Sequence, residues 1–248
     1  MAKKLNKPEF LPVNEDDLKP YHQWHRPLMA PGTTQVDFEE RIDFRRLHRY
    51  RLARARQALA KSGLGAILCF DQYNIRYISS TVIGEWARDK LIRYTLLTGT
   101  GEPWVWDFGS AARHHRIYCP WLQEDHIRAG NPGMRGAIGP EVGLFKQAAK
   151  EIKDILKAEG VADMPVGLDI CEPPMLFALQ EQGLEIRDGQ QMMLAAREIK
   201  NRDEITLINT ASSMVDGVYQ DIAAELKPGI KESQVVAIKK KLASGKST

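Results

Sequence analysis

The chain is 248 residues long, 43% hydrophobic and 27% charged, enough for one substantial core and a smaller second element. No stretch approaches the roughly 18 uninterrupted apolar residues of a membrane span, and a formal charge of +3 is too mild to imply a nucleic-acid partner. The polar start, Met1 to Pro8, carries no apolar signal core, so a cytoplasmic location is expected, with neither membrane nor nucleic acid as partner. Cys69, Cys119 and Cys171 are scattered, which argues against a disulfide framework or a zinc cage and predicts three small buried or half-buried hydrophobes.

Residues 1–36 read as an extended leader broken by Pro8, Pro12, Pro20, Pro27 and Pro31. A helix is predicted from Asp37 to Ser62, with Thr34 and Asp37 as a capping box and Gly63 and Gly65 ending it. Leu52, Ala55 and Leu59 mark its buried stripe, while Arg45, Arg46, Arg49, Arg51, Arg54 and Arg56 read as a solvated face suited to the helix dipole. Ala66 to Phe70 is a continuous apolar run expected to be a buried central strand, followed by a short turn or helix from Asn74 to Ser80. Tyr94–Thr98 and Trp104–Phe108 flank Gly99-Thr100-Gly101 and predict a hairpin. A helical patch follows at Ala111 to Tyr118, and Gly130 to Pro140 reads as a loop.

Phe145, Ala149, Ile152 and Leu156 give one face of the next helix, which Gly160 closes. Val166 to Ile170 is a second buried strand. Pro173 and Pro174 suit the first turn of a helix running to Gly183, and Leu184 to Ile186 make a last short strand. Alternating strands and helices indicate an α/β domain with a mostly parallel or mixed sheet. Beyond it, Asn201 and Glu204 form a capping box, and Ile205, Ile208, Ala211, Val215, Val218, Ile222 and Leu226 trace an apolar face. Pro228-Gly229 stops that helix, and a final one is predicted from Glu232 to Leu242.

Three stretches carry a resemblance. Asp71-Gln72-Tyr73-Asn74-Ile75-Arg76-Tyr77 is similar to a D-x-x-N-[IV]-R-Y signature, and Val166-Gly167-Leu168-Asp169 to a late strand of the same family. Arg197-Glu198-Ile199-Lys200-Asn201 with Glu204, then Lys227-Pro228-Gly229 and Glu232, is similar to its linker helix and the turn after it. In this order they resemble the creatinase/prolidase/aminopeptidase P superfamily. Asn201 stands for the usual Ser/Thr cap, and Lys231 for the Ser/Thr of the later turn. Arg76-Tyr77, Trp86, Arg93 and Trp104 to Asp107 are similar to a branch that contains a dimethylsulfoniopropionate lyase.

The resemblance implies an α/β fold: a creatinase-type amino-terminal domain, a mixed sheet flanked by helices, over 37–195. It is followed by a linker helix and the truncated start of a pita-bread domain over 196–248. The family's two divalent metals (Mn, Fe, Co or Zn) are held by Asp, His and Glu of the pita-bread domain, and are expected only in a full-length relative. This sequence has no histidine after His126, so neither catalytic nor metal residues are expected in it. His114, His115, His126 and Cys119 form the one metal-like set, but neighbours on a helix point about 100° apart and do not chelate together easily. No paired Cys/His arrangement for nucleophilic catalysis is expected. The implied function is the non-catalytic part of an Xaa-Pro peptidase-like hydrolase, shaping the pocket for a small-molecule or dipeptide substrate. The alternatives are part of a dimethylsulfoniopropionate lyase-like enzyme, or a binding module or pseudoenzyme of the same fold. A homodimer, or a heterodimer with a full-length relative, is the expected assembly. Trp86, Arg88 and Arg93 are the expected substrate-binding residues, the arginines because a guanidinium grips a carboxylate at two points.

Overall fold

The computed structural model describes residues 42–81, 93–130 and 138–243, with the side chains of 238–243 left aside. These fall into two compact units, His48–Ile199 and a second made of 42–47 with 200–243.

The His48–Ile199 unit is built on one six-stranded sheet. In chain order its elements are helix α1 (Phe44–Ser62, from His48 on), strand β1 (Ala66–Cys69), helix α2 (Gln72–Ser79), strands β2 (Tyr94–Thr98) and β3 (Trp104–Asp107) and helix α3 (Gly109–Tyr118). Strand β4 (Ile127–Ala129), helix α4 (Leu144–Ala158), strand β5 (Val166–Leu168), helix α5 (Pro173–Glu181), strand β6 (Ile186–Asp188) and helix α6 (Gln190–Glu198) follow. The strand order is β4-β3-β2-β1-β5-β6. Strand β1 pairs antiparallel with β2 and parallel with β5, so the expected mixed sheet is the one observed.

Both faces of the sheet are covered, which explains the unbroken apolar runs of β1 and β5. Leu68, Leu96 and Trp106 point to one side, where Ile152 and Leu156 of α4 and Leu179 of α5 close over them. Ile67, Cys69 and Leu97 point to the other, against Leu59 of α1, Ile75 and Ile78 of α2, and Met192 and Met193 of α6. Helix α6 starts unusually close to the sheet. A Cβ on Gly189 would lie 2.9 Å from the Leu168 nitrogen, so only glycine allows this approach.

The arginines of α1 are not simply a solvated face. Arg54 donates through Nε to the Ala196 carbonyl at 3.1 Å and through an Nη to that of Ala195 at 2.9 Å. Tyr77 and Tyr50 add hydroxyl donors to the carbonyls of Ala196 and Ile199, at 2.9 and 2.8 Å. The last carbonyls of a helix have no partner within it, and these side chains supply one to α6. Arg56 ties α1 to the β2–β3 turn through the Gly101 carbonyl and Glu102.

His48 is half-buried against the Trp121 ring, 4.5 Å between centroids. Burial, helped by the charge of Arg51, lowers its imidazole to about 4. A pKa depressed below the unfolded value of about 6.5 gives stability that is full above that pH and is lost as pH falls through the folded value. Unfolding free energy is therefore expected to drop by roughly 1–2 kcal/mol between about pH 7 and 4 on this account. His48→Phe, which keeps a ring against Trp121 but cannot titrate, should flatten that part of the urea-denaturation pH profile. An unchanged slope would remove His48 as its source.

In the second unit, helix α7 (Arg202–Glu225) opens on the predicted capping box, with Asn201 Oδ1 accepting from the Glu204 N–H at 2.9 Å. Asp203 is buried and gripped at two points by Arg46, at 2.7 Å from Nε and 2.6 Å from an Nη. Helix α8 (Glu232–Ala243) follows the turn at Gly229, where φ is +89°. Ile205, Ile208, Val215 and Tyr219 lie exposed on α7, as does Leu226 just after it. None of the described helices is long and apolar enough to cross a membrane.

Candidate functional site

The three motif stretches of the His48–Ile199 unit meet at the carboxyl ends of β1 and β5. Asp71 leaves β1 in extended conformation and caps α2, its Oδ1 accepting from the N–H groups of Tyr73 and Asn74 at 2.9 and 3.1 Å. Asp169 leaves β5 and accepts four N–H donors. Those of Phe70 and Ile170 reach Oδ1 at 2.8 and 2.6 Å, and Asp71 N–H and Asn74 Nδ2 reach Oδ2, each at 3.0 Å. Asn74 Oδ1 in turn accepts from Arg197 of α6 at 3.1 Å. Burial pushes the Asp169 carboxyl above the ordinary range, and the four donors pull it back. This junction fixes where α2 starts.

After α2 the chain reaches Thr81, and it is described again from Arg93. Arg93 is 2% exposed. One of its Nη atoms donates to the Thr81 carbonyl at 2.8 Å and to Thr81 Oγ1 at 2.5 Å, which joins the two ends of segment 82–92. Its Nε lies 3.2 Å from Asp107 Oδ2. Asp107 is fully buried at the end of β3 and also meets His115 of α3. Burial lowers the Arg93 guanidinium, and Asp107 opposes that by raising it. Trp86 and Arg88 lie outside the described residues, so of the three expected substrate-binding residues only Arg93 is placed, and it is placed inside the unit.

Among the described residues, no group of three or more His, Cys, Asp or Glu is positioned to hold a metal ion. Asp203 is held by Arg46, Glu204 by the capping box and His115 by Asp107. The ring of His126 stacks on Trp104 at 3.6 Å. Engaged in this way, these residues do not fit a metal pair.

Sequence reasoning missed Asn74, Asp169 and Arg197 as a single bonded unit. It named His115 and Cys119 only within a metal-like set, expected no paired Cys/His arrangement, and did not single out Asp107. The i, i+4 spacing of His115 and Cys119 at the end of a predicted helix was the available signal for that pair.

No protein-family model matches the chain. It is 28% identical over 189 residues to the dimethylsulfoniopropionate lyase DddP of Roseovarius nubinhibens, and 30% identical over 190 residues to that of Roseobacter denitrificans. Each match covers 73% of this chain and 42% of the lyase, so the chain spans less than half the length of these relatives. Among solved structures, an Xaa-Pro dipeptidase from Bacillus anthracis matches with a TM-score of 0.57 at 14% identity, over 81% of this chain and 50% of that one. Dipeptidase PepE from Mycobacterium ulcerans matches with a TM-score of 0.54 at 19% identity, over 80% and 50%. At such identities the likeness shows a shared fold.

Proposed function

From a chain that belongs to the creatinase/prolidase/aminopeptidase P superfamily, on the side of its dimethylsulfoniopropionate lyases, we propose the role of a non-catalytic amino-terminal part of a metal-dependent enzyme. In this reading the His48–Ile199 unit shapes a substrate pocket and a subunit interface. The chemistry would belong to a separate catalytic domain, whose two divalent metals would supply Lewis-acid assistance there. The residues of this chain position rather than react. The Asp169 junction sets the start of α2, and Arg93 clasps Thr81. Trp86 and Arg88 serve the substrate in this reading, and Arg93 serves it as a positioning residue.

The observation that carries the reading is the likeness to two lyases over most of this chain and less than half of each lyase. A small carboxylate substrate undergoing elimination is favoured over an Xaa-Pro dipeptide, because the dipeptidase likeness is one of fold. The test is a chimera in which residues 48–199 replace the matching part of the Roseobacter denitrificans lyase. It is expected to bind metal, to cleave dimethylsulfoniopropionate with kcat/KM within about 100-fold of the parent, and to leave Xaa-Pro dipeptides intact. A folded, metal-loaded chimera that cleaves neither would refute the pocket-shaping role. Cleavage of the dipeptide alone would move the assignment to the hydrolases.

A further inference from the structure

Helix α3 carries His115 in its last turn and is closed by Cys119 four residues on, with 1% and 7% of their surface exposed. His115 Nε2 lies 3.0 Å from Asp107 Oδ2, and Nδ1 lies 3.7 Å from Cys119 Sγ. The carboxylate assigns the proton to Nε2, which leaves the Nδ1 lone pair facing the thiol. Asp107 is itself held, by the Phe108 N–H on Oδ1 at 2.9 Å and by Arg93 Nε at 3.2 Å from Oδ2. Thiol, imidazole and carboxylate thus stand in the order of nucleophile, base and orienter. No step of the proposed enzyme function uses them.

Burial pushes the Cys119 thiol up to about 11, against the opposing charge of Arg93. The resting group is therefore a protonated thiol, which needs a base in order to react, and Nδ1 is in place to be that base. So enclosed a sulfur admits small neutral electrophiles and excludes bulky ones. We propose that Cys119 is a modification site for hydrogen peroxide and small hydroperoxides, with His115 as its base. His115 Nδ1 takes the thiol proton as the sulfur attacks one peroxide oxygen. The O–O bond breaks, sulfur is oxidised by two electrons to the sulfenic acid, and the leaving hydroxide takes the proton from His115 and departs as water. Asp107 faces the transient imidazolium, and the Arg93 charge favours the thiolate.

The other two cysteines are internal comparisons. Cys69 is fully buried, and burial with the nearby Asp169 carboxylate pushes it well above the ordinary range. Cys171 is half-buried and more open to solvent.

The test exposes the full chain to hydrogen peroxide at about pH 7, removes the peroxide, unfolds the chain in denaturant containing a dimedone-type reagent so that enclosed sulfenic acid is trapped too, and reads each cysteine by peptide mass spectrometry. Cys119 is expected to label ahead of Cys171 despite its burial. Its rate should level off by about pH 9 instead of climbing towards the range of the thiol itself. His115→Gln should slow Cys119 at least about ten-fold and leave Cys171 unchanged. Cys119 remaining reduced while Cys171 is labelled would overturn the proposal, as would an unchanged Cys119 rate in His115→Gln. Should that variant unfold, seen as one common rate for all three cysteines, the wild-type pH profile decides. A plateau supports the base, and a rate still rising towards pH 11 removes it.

Discussion

Replacing Asp169 with alanine is expected to lower the unfolding free energy of the His48–Ile199 unit by about 3–5 kcal/mol. The carboxylate accepts the N–H groups of Phe70, Asp71 and Ile170 and the amide of Asn74, at 2.6 to 3.0 Å and largely out of water. Each stranded buried donor costs roughly 1–3 kcal/mol, and relaxation around a shared acceptor makes the sum smaller than four separate losses. Asp169→Asn retains one acceptor oxygen but turns an NH2 group towards donors, so about half of the alanine effect should remain. Urea denaturation followed by far-ultraviolet circular dichroism reads both variants. A loss below about 1 kcal/mol for the alanine variant would mean that water replaces the carboxylate and that the junction is not what holds α2 in place.

Arg93→Ala is expected to cost a comparable amount, about 3–5 kcal/mol, because it leaves the carboxylate of Asp107 buried without its cation. Combining it with Asp107→Asn should recover a substantial part of the loss, since the neutral amide still meets His115 and no uncompensated charge remains. A residue whose one task was to grip substrate would behave differently. Its alanine variant would raise KM in a catalytically complete chimera and leave stability within about 0.5 kcal/mol of wild type. The stability readout therefore separates a positioning role for Arg93 from direct binding.

The fold was legible where local pattern and burial coincide. Ala66 to Cys69 and Val166 to Leu168 are unbroken apolar runs because helices cover both faces of their sheet. The β2–β3 hairpin announces itself in Gly99-Thr100-Gly101. Strand β4 was not legible. It is three residues long, follows the polar Glu124-Asp125-His126, and exists through parallel pairing with β3, which leaves no local period. Helix α6 was missed as a separate element because its cap is Gly189. That residue is set by the close approach to β5 and not by a capping side chain.

The site shows the same division. Asp71, Asn74, Asp169 and Arg197 each stood within a motif, yet nothing local said that one carboxylate and one amide bind them together. Asp71 and Asp169 are 98 residues apart, and Asn74 and Arg197 are 123 apart. The arginines of α1 misled for a related reason: the carbonyls that Arg54 satisfies belong to a helix end far along the chain. The pairing of His115 with Cys119 was within reach, being i to i+4 at the end of a predicted helix. The carboxylate that orients it comes from the end of β3.

The central claim, that this chain positions substrate and partner while another domain supplies the metals, meets its most direct test in the purified chain itself. It would be loaded with manganese, iron, cobalt or zinc, dialysed, and examined by elemental analysis alongside turnover of dimethylsulfoniopropionate and an Xaa-Pro dipeptide. The account predicts well under about one metal per chain and no turnover of either substrate. Stoichiometric metal with turnover of either one would contradict it and place a catalytic centre within these 248 residues.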